Sequence, residues 1–324
     1  MADDPEVGSG AVRRFVRGPL LPERRSPLPG HRPKSRVDDA SAPERVQQLI
    51  ASPSYRQADE DIAFLRDASM RGVRLHLDYA KAEELLVAHG IEHTIVVFGS
   101  TRFPEPAEAA RRFEAARAAL AADPNDEESI RAVRRCARIL HNSRYYDVAR
   151  ELGRIIAGLH DEAARKLRLA VMTGGGPGIM EAANRGAFEA GAKTVGLNIA
   201  LPIAQYPNPY ITPDLCLRFH YFAMRKLHFM HRARALVAFP GGFGTLDELF
   251  ETLALVQTRK IAPVPIILVG ESYWRRVIDF DFMLEEGVID PEDANLFWFA
   301  ESAADVWADI NAYYRARGED FIEG

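Results

Sequence analysis

Two glutamates follow glycine-rich turns, and an arginine lies between those turns in the sequence. A carboxylate or a guanidinium at such a place could act on a bound ligand. Glu248 follows the turn 240–245, Glu181 follows the turn 174–178, and Arg225 lies between the two turns in the sequence. A carboxylate can stabilise a developing cation or exchange a proton with a reacting group. A guanidinium presents a planar fork of donors that matches a phosphate. These residue types are capable of acid–base and electrostatic chemistry on an anionic ligand, and each residue also has a structural alternative.

Three turns that contain glycine each follow a short apolar run of the sequence. They are Phe98–Thr101, Thr173–Gly178 and Pro240–Thr245. Because the carboxyl ends of parallel strands share one edge of a sheet, all three turns are expected to face one site. Backbone N–H groups of glycines and the start of a helix together suit a phosphate. Glycine also serves ordinary tight turns, but the convergence of three predicts a phosphate-bearing ligand.

The details of the two richest turns exclude the commonest nucleotide sites. Ile179 and Asp247 stand where a dinucleotide fingerprint requires its third glycine, which argues against a nicotinamide dehydrogenase. Neither turn ends in the Gly-Lys-Ser/Thr of an ATPase phosphate loop. A mononucleotide or a sugar phosphate therefore fits better.

The elements that must position these turns alternate between short apolar runs and amphipathic stretches of helix length. This alternation predicts an α/β fold, a doubly wound parallel sheet covered by helices on both faces. The region 105–167 is unusually long and is interrupted near 123–125, which predicts an inserted helical hairpin. The expected strands are Thr94–Phe98, Leu169–Thr173, Thr194–Ile199, Ala235–Phe239 and Val264–Val269.

The chain is expected to have three parts. Residues 1–43 are rich in proline and arginine and lack hydrophobic periodicity, so they can bury little apolar surface against their ordering entropy. We expect a flexible tail or an arm laid across a partner surface. Residues 44–90 have helical periodicity, with a break expected at Gly72, and form an N-terminal helical extension. Residues 91–324 form the α/β domain.

Composition excludes several classes of protein. The chain has 324 residues, 47% hydrophobic and 27% charged, with a formal net charge of −5. This balance gives no reason to expect a nucleic-acid partner. The cysteines, Cys136 and Cys216, are far apart, which fits a reducing compartment. No apolar run approaches the roughly 18 to 20 residues of a membrane span, so we expect a cytoplasmic protein without a membrane partner.

No metal or cofactor is expected. His228 and His231 are three residues apart on one predicted helix, a spacing that metals use, but no third ligand has a recognisable spacing to them. Packing or interface roles are expected for both histidines. No lysine stands in a setting typical of pyridoxal phosphate.

Two motifs at a fixed spacing carry a family resemblance. Met224-Arg225-Lys226, followed by the segment Pro240–Glu248, resembles the RK and PGGxGTxxE motifs of the LOG family, the cytokinin-activating phosphoribohydrolases. The segments Phe98–Arg102 and Gly174–Ala182 resemble bacterial members of this family, which are often labelled lysine-decarboxylase-like. The resemblance covers about Thr94 to Trp307.

The resemblance implies a Rossmann-like fold, a homodimer or larger homo-oligomer, and a nucleotide-binding catalytic domain at 91–324. It implies hydrolysis of the N-glycosidic bond of a nucleoside 5′-monophosphate, either AMP or a cytokinin nucleotide, to a free base and ribose 5-phosphate. Arg225, Glu248 and Glu181 are the expected catalytic residues. Glu181 and Arg234 stand where plant-type members usually have glycine and aspartate, which places the cytokinin substrate in question. The expected substrate- and phosphate-binding residues are Gly99, Ser100, Arg102, Gly175, Gly176, Gly178, Lys226, Gly241, Gly242, Gly244 and Thr245.

Each candidate side chain also has a structural alternative. Thr245 and Glu248 have the spacing of a capping box, in which they only satisfy the start of a helix. Glu181 could complement a helix dipole from its first turn. Arg225 and Lys226 could belong to the solvated face of a helix.

Other features leave two interpretations open. The aromatic residues between 219 and 229 favour core or dimer-interface packing over base stacking. The proline-rich loop Leu201–Tyr210 is a candidate lid or an ordinary surface loop. The alternative function is a non-catalytic protein that binds a nucleotide or carries molybdenum cofactor in the same crevice. Arg225 and Glu248 together favour the enzyme, because a carrier has no need of a carboxylate beside a sugar.

Overall fold

The computed structural model of the chain describes residues 26–158, 168–202 and 206–318, except Pro29 and His31. These residues form two compact units that divide between Ala68 and Ser69. The first unit contains the helices α1 (Ala42–Ala51) and α2 (Ile62–Arg66). Residues 1–25, which make up most of the expected tail, lie outside the described residues. The predicted boundaries at residues 43 and 90 stay predictions.

The second unit is built on a parallel sheet of seven strands in the order β4-β3-β2-β1-β5-β6-β7. The predicted α/β, Rossmann-like, doubly wound fold is confirmed. Sequence reasoning missed β4 and β7, which are the two edges of this sheet. The strands are β1 (His93–Phe98), β2 (Leu169–Thr173), β3 (Thr194–Ile199), β4 (Cys216–Phe219), β5 (Ala233–Ala238), β6 (Ile266–Val269) and β7 (Phe297–Ala300).

Helices cover both faces of the sheet, and the inserted hairpin is confirmed as α4 (Pro106–Ala122) and α5 (Glu127–Asn142). Asp126 begins α5 by accepting hydrogen bonds from the N–H groups of Glu128 and Ser129. None of the described helices is long and apolar enough to cross a membrane. The other helices of this unit are α3 (Arg71–Ala88), α6 (Arg144–Gly158), α7 (Ile179–Glu189), α8 (Phe222–His231), α9 (Phe243–Gln257), α10 (Glu271–Val277), α11 (Phe280–Glu285) and α12 (Ala303–Ala316).

The expected break at Gly72 is wrong. Gly72 lies in the first turn of α3, and the helix begins at Arg71 after a short 3-10 turn that ends at Met70. A glycine within the first turn disturbs few intrahelical hydrogen bonds, because the N–H groups there have no intrahelical acceptor.

The central strand β1 shows how the sequence builds two cores. Ile95 and Val97 point to the layer formed by α6, α7 and α12, whereas Val96 and Phe98 point to the layer of α3, α8 and α9. Side chains alternate between the two faces of a strand. Since helices cover both faces, all four residues are buried. This explains the continuous apolar run of the sequence.

Candidate functional site

The site lies where the strand order reverses, between β1 and β5. From β1, the strands β2, β3 and β4 follow one another towards one edge of the sheet. The chain then crosses to the other side of β1, where β5, β6 and β7 lead to the opposite edge. The carboxyl ends of β1 and β5 meet, since the N–H of Ser100 donates to the carbonyl of Pro240 (2.9 Å). Such a reversal leaves a crevice that ligands occupy in open α/β sheets.

A cavity of about 600 Å³ opens at this crevice. Its wall combines the turn after β1, the turn after β5, the first residues of α9 and side chains from α7, α8 and α10. The lining residues are Phe98, Gly99, Ser100, Thr101, Arg102, Phe103, Met180, Phe222, Arg225, Gly241, Gly242, Phe243, Gly244, Thr245, Asp247, Glu248 and Tyr273.

The start of α9 forms one wall of the cavity. The helix begins at Phe243, its N-cap is Gly242, and no side chain caps it. The first N–H groups of a helix have no intrahelical acceptor and lie at the positive end of its dipole. Gly242 and Gly244 have open space where a Cβ would stand, so a ligand can approach their backbone closely. This wall can accept a phosphate.

The capping-box alternative for Thr245 and Glu248 is wrong. Because Gly242 is the N-cap, Thr245 and Glu248 lie inside the helix and are not placed to cap it. Thr245 instead lies so close to Gly241 that a Cβ there would be 2.2 Å from its Oγ1. The hydroxyl of Tyr273 donates to the carbonyl of Gly241 and holds the same turn from α10.

Glu248 is a buried carboxyl group on the cavity wall, with 5% of its surface exposed. Burial raises the pKa of Glu248 to about 7, although Lys226 and Arg225 act in the opposite direction. A carboxyl group with this pKa exchanges a proton near neutral pH and is suited to acid–base chemistry.

Arg225 reaches the cavity from α8 in a fixed orientation. Its Nε donates to the carbonyl of Leu197 (2.7 Å), and its guanidinium lies 5.0 Å from the centre of the Phe229 ring. A Cβ on Gly174 would be 2.6 Å from its Nη2, so the glycine makes room for the guanidinium. Burial lowers the pKa of Arg225, opposed by Glu248 and Asp247. The side chain is therefore held in place before a ligand binds.

Lys226, the next residue, lies beside Glu248 and does not line the cavity. Its Nζ is 2.6 Å from Glu251 Oε2, 2.8 Å from Asp247 Oδ2 and 3.9 Å from Glu248 Oε2. Burial lowers the pKa of Lys226, but the hydrogen bonds to Asp247 and Glu251 outweigh burial and raise the pKa above its ordinary value. Lys226 also borders a second cavity of about 580 Å³ on the other side of α8.

Hydrogen bonds from Asn208 hold the turn after β2 in place. Gly175 and Gly178 have positive φ angles of 72° and 73°, which glycine adopts without strain. Asn208 donates through its backbone N–H to the carbonyl of Gly175 (2.9 Å) and through Nδ2 to that of Gly176 (3.1 Å). The Nδ2 of Asn208 also donates to Asn184 Oδ1 (3.0 Å), and both asparagines are buried. None of the residues 174–178 lines the cavity.

Glu181 points away from the cavity towards α6. Its carboxylate accepts a hydrogen bond from the hydroxyl of Tyr146 (2.9 Å), which also accepts one from Arg185. Burial is the main cause that raises the pKa of Tyr146, and Glu181 raises it further. Glu181 therefore contributes to helix packing in this structure, and its catalytic role stays a prediction.

Nine of the predicted site residues line one cavity, and five do not. Glu181, Lys226 and the three glycines of the turn after β2 are the five that lie elsewhere. Sequence reasoning missed Tyr273, which lies near the carboxyl end of β6 and could have been found from the shared edge of the strands. The residues brought together are Gly99, Ser100, Arg102, Arg225, Gly241, Gly242, Gly244, Thr245 and Glu248.

The two histidines of α8 have different surroundings. His228 is buried and stacks on Tyr79 at 5.2 Å between ring centres, whereas His231 is exposed. Burial lowers the pKa of His228. Within the part of the chain that the structure describes, no cluster of three or more metal-binding side chains is present.

Comparison with known proteins shows which sequences this chain resembles. A family model described as possible lysine decarboxylase matches residues 180–310. The chain is 29% identical over 174 residues to the cytokinin riboside 5′-monophosphate phosphoribohydrolase LOG1 of Arabidopsis thaliana, covering 52% of this chain and 76% of that protein. The predicted resemblance to the LOG family is confirmed.

Two rice relatives in the LOG family show how much of the chain the likeness covers. The probable cytokinin riboside 5′-monophosphate phosphoribohydrolase LOG4 of Oryza sativa subsp. japonica is 36% identical over 83 residues. That match covers 25% of this chain and 36% of LOG4. The probable cytokinin riboside 5′-monophosphate phosphoribohydrolase LOGL6 of the same species is 28% identical over 174 residues, covering 52% of this chain and 65% of LOGL6. The chain thus spans less than two thirds of either rice protein.

Solved structures are also similar in part. A molybdenum cofactor carrier protein of Chlamydomonas reinhardtii is 21% identical, with a TM-score of 0.36, covering 69% of this chain and 99% of that protein. The molybdenum cofactor binding protein of Rippkaea orientalis is 22% identical, with a TM-score of 0.33, covering 52% of this chain and 87% of that protein. Neither likeness bears on the function of this LOG-like chain.

Proposed function

We propose that the protein hydrolyses the N-glycosidic bond of a nucleoside 5′-monophosphate and releases a free base and ribose 5-phosphate. The observation that carries the proposal is the buried Glu248, whose pKa is raised to about 7 on the wall of a cavity that also holds the uncapped start of α9. Breaking a glycosidic bond develops positive charge on the sugar, which a carboxylate stabilises.

Each wall of the cavity has a role in this proposal. The first turn of α9 binds the 5′-phosphate through backbone N–H groups. Glu248, in its ionised form, stabilises the sugar cation and accepts a proton from the attacking water. Arg225 stabilises negative charge that develops on the departing base. The bond between the sugar C1′ and the base nitrogen breaks and the water oxygen bonds to C1′. The base nitrogen takes up a proton from solvent as it leaves, and Glu248 returns to solvent the proton that it took from the water.

The site and the names of the relatives support a nucleoside 5′-monophosphate as the substrate class. The Arabidopsis and rice LOG proteins are named for hydrolysis of cytokinin riboside 5′-monophosphates. Glu181 and Arg234 depart from the residues usual in plant-type members. We therefore place AMP first and cytokinin nucleotides second as substrates.

The test compares AMP with adenosine. We expect release of adenine from AMP and little release from adenosine, because the phosphate both binds and positions the reacting bond. Chromatography of a panel of nucleoside 5′-monophosphates measures the free base. Equal turnover of adenosine and AMP would contradict the phosphate anchor, and binding without turnover would favour the alternative of a nucleotide- or cofactor-carrying protein.

We also propose a cytoplasmic homodimer. The support is a set of exposed apolar side chains on α8 and α9, which include Phe222, Leu227 and Phe250. Exposed apolar patches of this kind mark interfaces, and most homo-oligomers are two-fold symmetric. Light scattering at micromolar concentration measures the assembly, and a monomer contradicts it.

A further inference from the structure

Lys226 is the centre of a cluster of charges at the base of the proposed site. Asp247, Glu248 and Glu251 all lie on α9, and the ammonium of Lys226 on α8 faces all three. Lys226 is mostly buried, with 18% of its side chain exposed. Two close carboxylate contacts, to Asp247 and Glu251, hold the ammonium beside Glu248. Lys226 therefore lies beside Glu248, which lines the cavity, but does not itself line the cavity.

The charge balance around Glu248 depends on this lysine. The charged groups that face Glu248 are Arg225 and Lys226 from α8, and Asp247 and Glu251 from α9. With Lys226 present, two cations oppose three carboxylates. Without it, Arg225 alone opposes the same three carboxylates, and Arg225 is already directed to the carbonyl of Leu197. Removal of Lys226 therefore favours a protonated Glu248.

We propose that Lys226 is a positioning residue that keeps Glu248 ionised during hydrolysis, and that it does not bind the phosphate of the substrate. The proposal rests on the function proposed above for Glu248. Lys226 acts through Glu248 and touches neither the sugar nor the base. It differs from the sequence-based expectation, in which Lys226 is a phosphate ligand.

The first experiment measures kcat/KM for AMP against pH in the full chain, because this ratio reports the ionisation of the free enzyme. In the parent, activity rises through the pKa of Glu248 near 7. Lys226→Met is expected to move this rise upwards by about one pH unit or more, the usual scale for an opposite charge within about 4 to 6 Å. Lys226→Arg is expected to restore most of the parent profile.

Two further variants sharpen the experiment. Lys260→Met removes an exposed lysine just beyond α9 and is expected to leave the profile unchanged. Lys226→Gln keeps a long polar side chain that can still hydrogen-bond Asp247 and Glu251 but carries no charge, so it is expected to give the same upward shift as Lys226→Met. It tests the proposal even where Lys226→Met does not fold.

A phosphate-binding role for Lys226 predicts a different result. In that case Lys226→Met weakens the binding of ribose 5-phosphate about tenfold or more, the scale of a lost charge-assisted hydrogen bond, and the pH profile stays in place. Calorimetric titration with ribose 5-phosphate measures this affinity. An unmoved profile together with weaker binding overturns the proposal.

A measurement without turnover separates the two proposals. The side-chain carboxyl resonance of Glu248 in a ¹³C-labelled protein, assigned by its loss in Glu248→Gln, gives the pKa directly. A higher midpoint in Lys226→Met supports the inference even if AMP is not hydrolysed, and in that case only the proposed function fails. Identical midpoints in the parent and in Lys226→Met overturn the inference.

Discussion

The two glycine-rich turns of this protein are similar in sequence but differ in what their backbone groups do. The four glycines of the turn 174–178 are buried, two of them at positive φ, and Asn208 binds the carbonyls of Gly175 and Gly176. The N–H of Gly175 donates to the hydroxyl of Thr173 (3.0 Å). These hydrogen bonds tie the turn to neighbouring parts of the protein, and Gly174 leaves room for the guanidinium of Arg225.

The turn after β5 has the opposite character. Gly242 and Gly244 are exposed, and open space surrounds both. Their backbone leads directly into the uncapped first turn of α9, which faces the cavity. The comparison shows that two turns of similar glycine content can differ in whether they border the cavity. The turn after β5 borders it and has open space beside two of its glycines, whereas none of the residues 174–178 lines it.

The largest effect is expected for the carboxylate beside the open turn. Glu248→Gln keeps the size of the side chain and should reduce turnover of AMP by about a hundredfold or more, because it removes a positioned charge. Binding of AMP should change much less, since the backbone of α9 is unaltered. Steady-state kinetics and calorimetry measure the two quantities.

Glu285→Gln is the matched control, because Glu285 is exposed at the end of α11. It should retain the parent rate. Nearly full turnover in Glu248→Gln, with an unchanged melting temperature, would remove Glu248 from the mechanism.

An intermediate effect is expected when one N–H is removed from the open turn. Phe243 is the first residue of α9, where proline is tolerated because its N–H has no intrahelical acceptor. Phe243→Pro should weaken ribose 5-phosphate binding by about tenfold, the scale of one hydrogen bond to a charged group. Phe243→Ala loses the same ring but keeps the N–H, so it should bind like the parent. Equal affinities in the two variants would show that this N–H does not contact the phosphate.

The smallest effect on activity is expected in the closed turn. Asn208→Ala removes the side chain that binds Gly176 and Asn184, and should lower the free energy of unfolding by about 1–3 kcal/mol. The affinity for AMP should change less than twofold. Urea denaturation and calorimetry measure the two effects, with the exposed Asn125→Ala as the control. A large loss of affinity without loss of stability would make the closed turn part of the binding site.

The sequence was informative about the interior of the sheet and less so about its edges. Central strands such as β1 are buried on both faces, so they appear as continuous apolar runs. The edge strand β4 contains the exposed Arg218, and β7 is only partly buried, so neither has that pattern. Each has four residues, which is too short for periodicity to show.

The sequence predicted the site residues whose motifs lie near the carboxyl ends of the strands. It did not predict side-chain orientations that depend on how the helices pack. Arg225 and Glu248 reach the same cavity, as their motifs indicated. The spacing of Thr245 and Glu248 suggested a capping box, but the helix begins at Phe243, so the pattern has no capping role. Glu181 follows a glycine turn in the sequence, yet the rotation of α7 directs it to Tyr146. Such rotations depend on the packing between helices, which local spacing does not contain.

The burial of Glu248 also links folding to acidity. Its pKa is about 7 in the folded chain against 4.5 for an ordinary glutamate, so the folded state holds a proton that the unfolded chain releases. The stabilising contribution is complete below pH 4.5 and is lost as the pH rises to 7, a difference of about 3 kcal/mol. In the proposed mechanism, the proton that leaves Glu248 to make the carboxylate reactive is also one that favours the native state. On that mechanism, Glu248 contributes least to stability at the pH at which it would be most active.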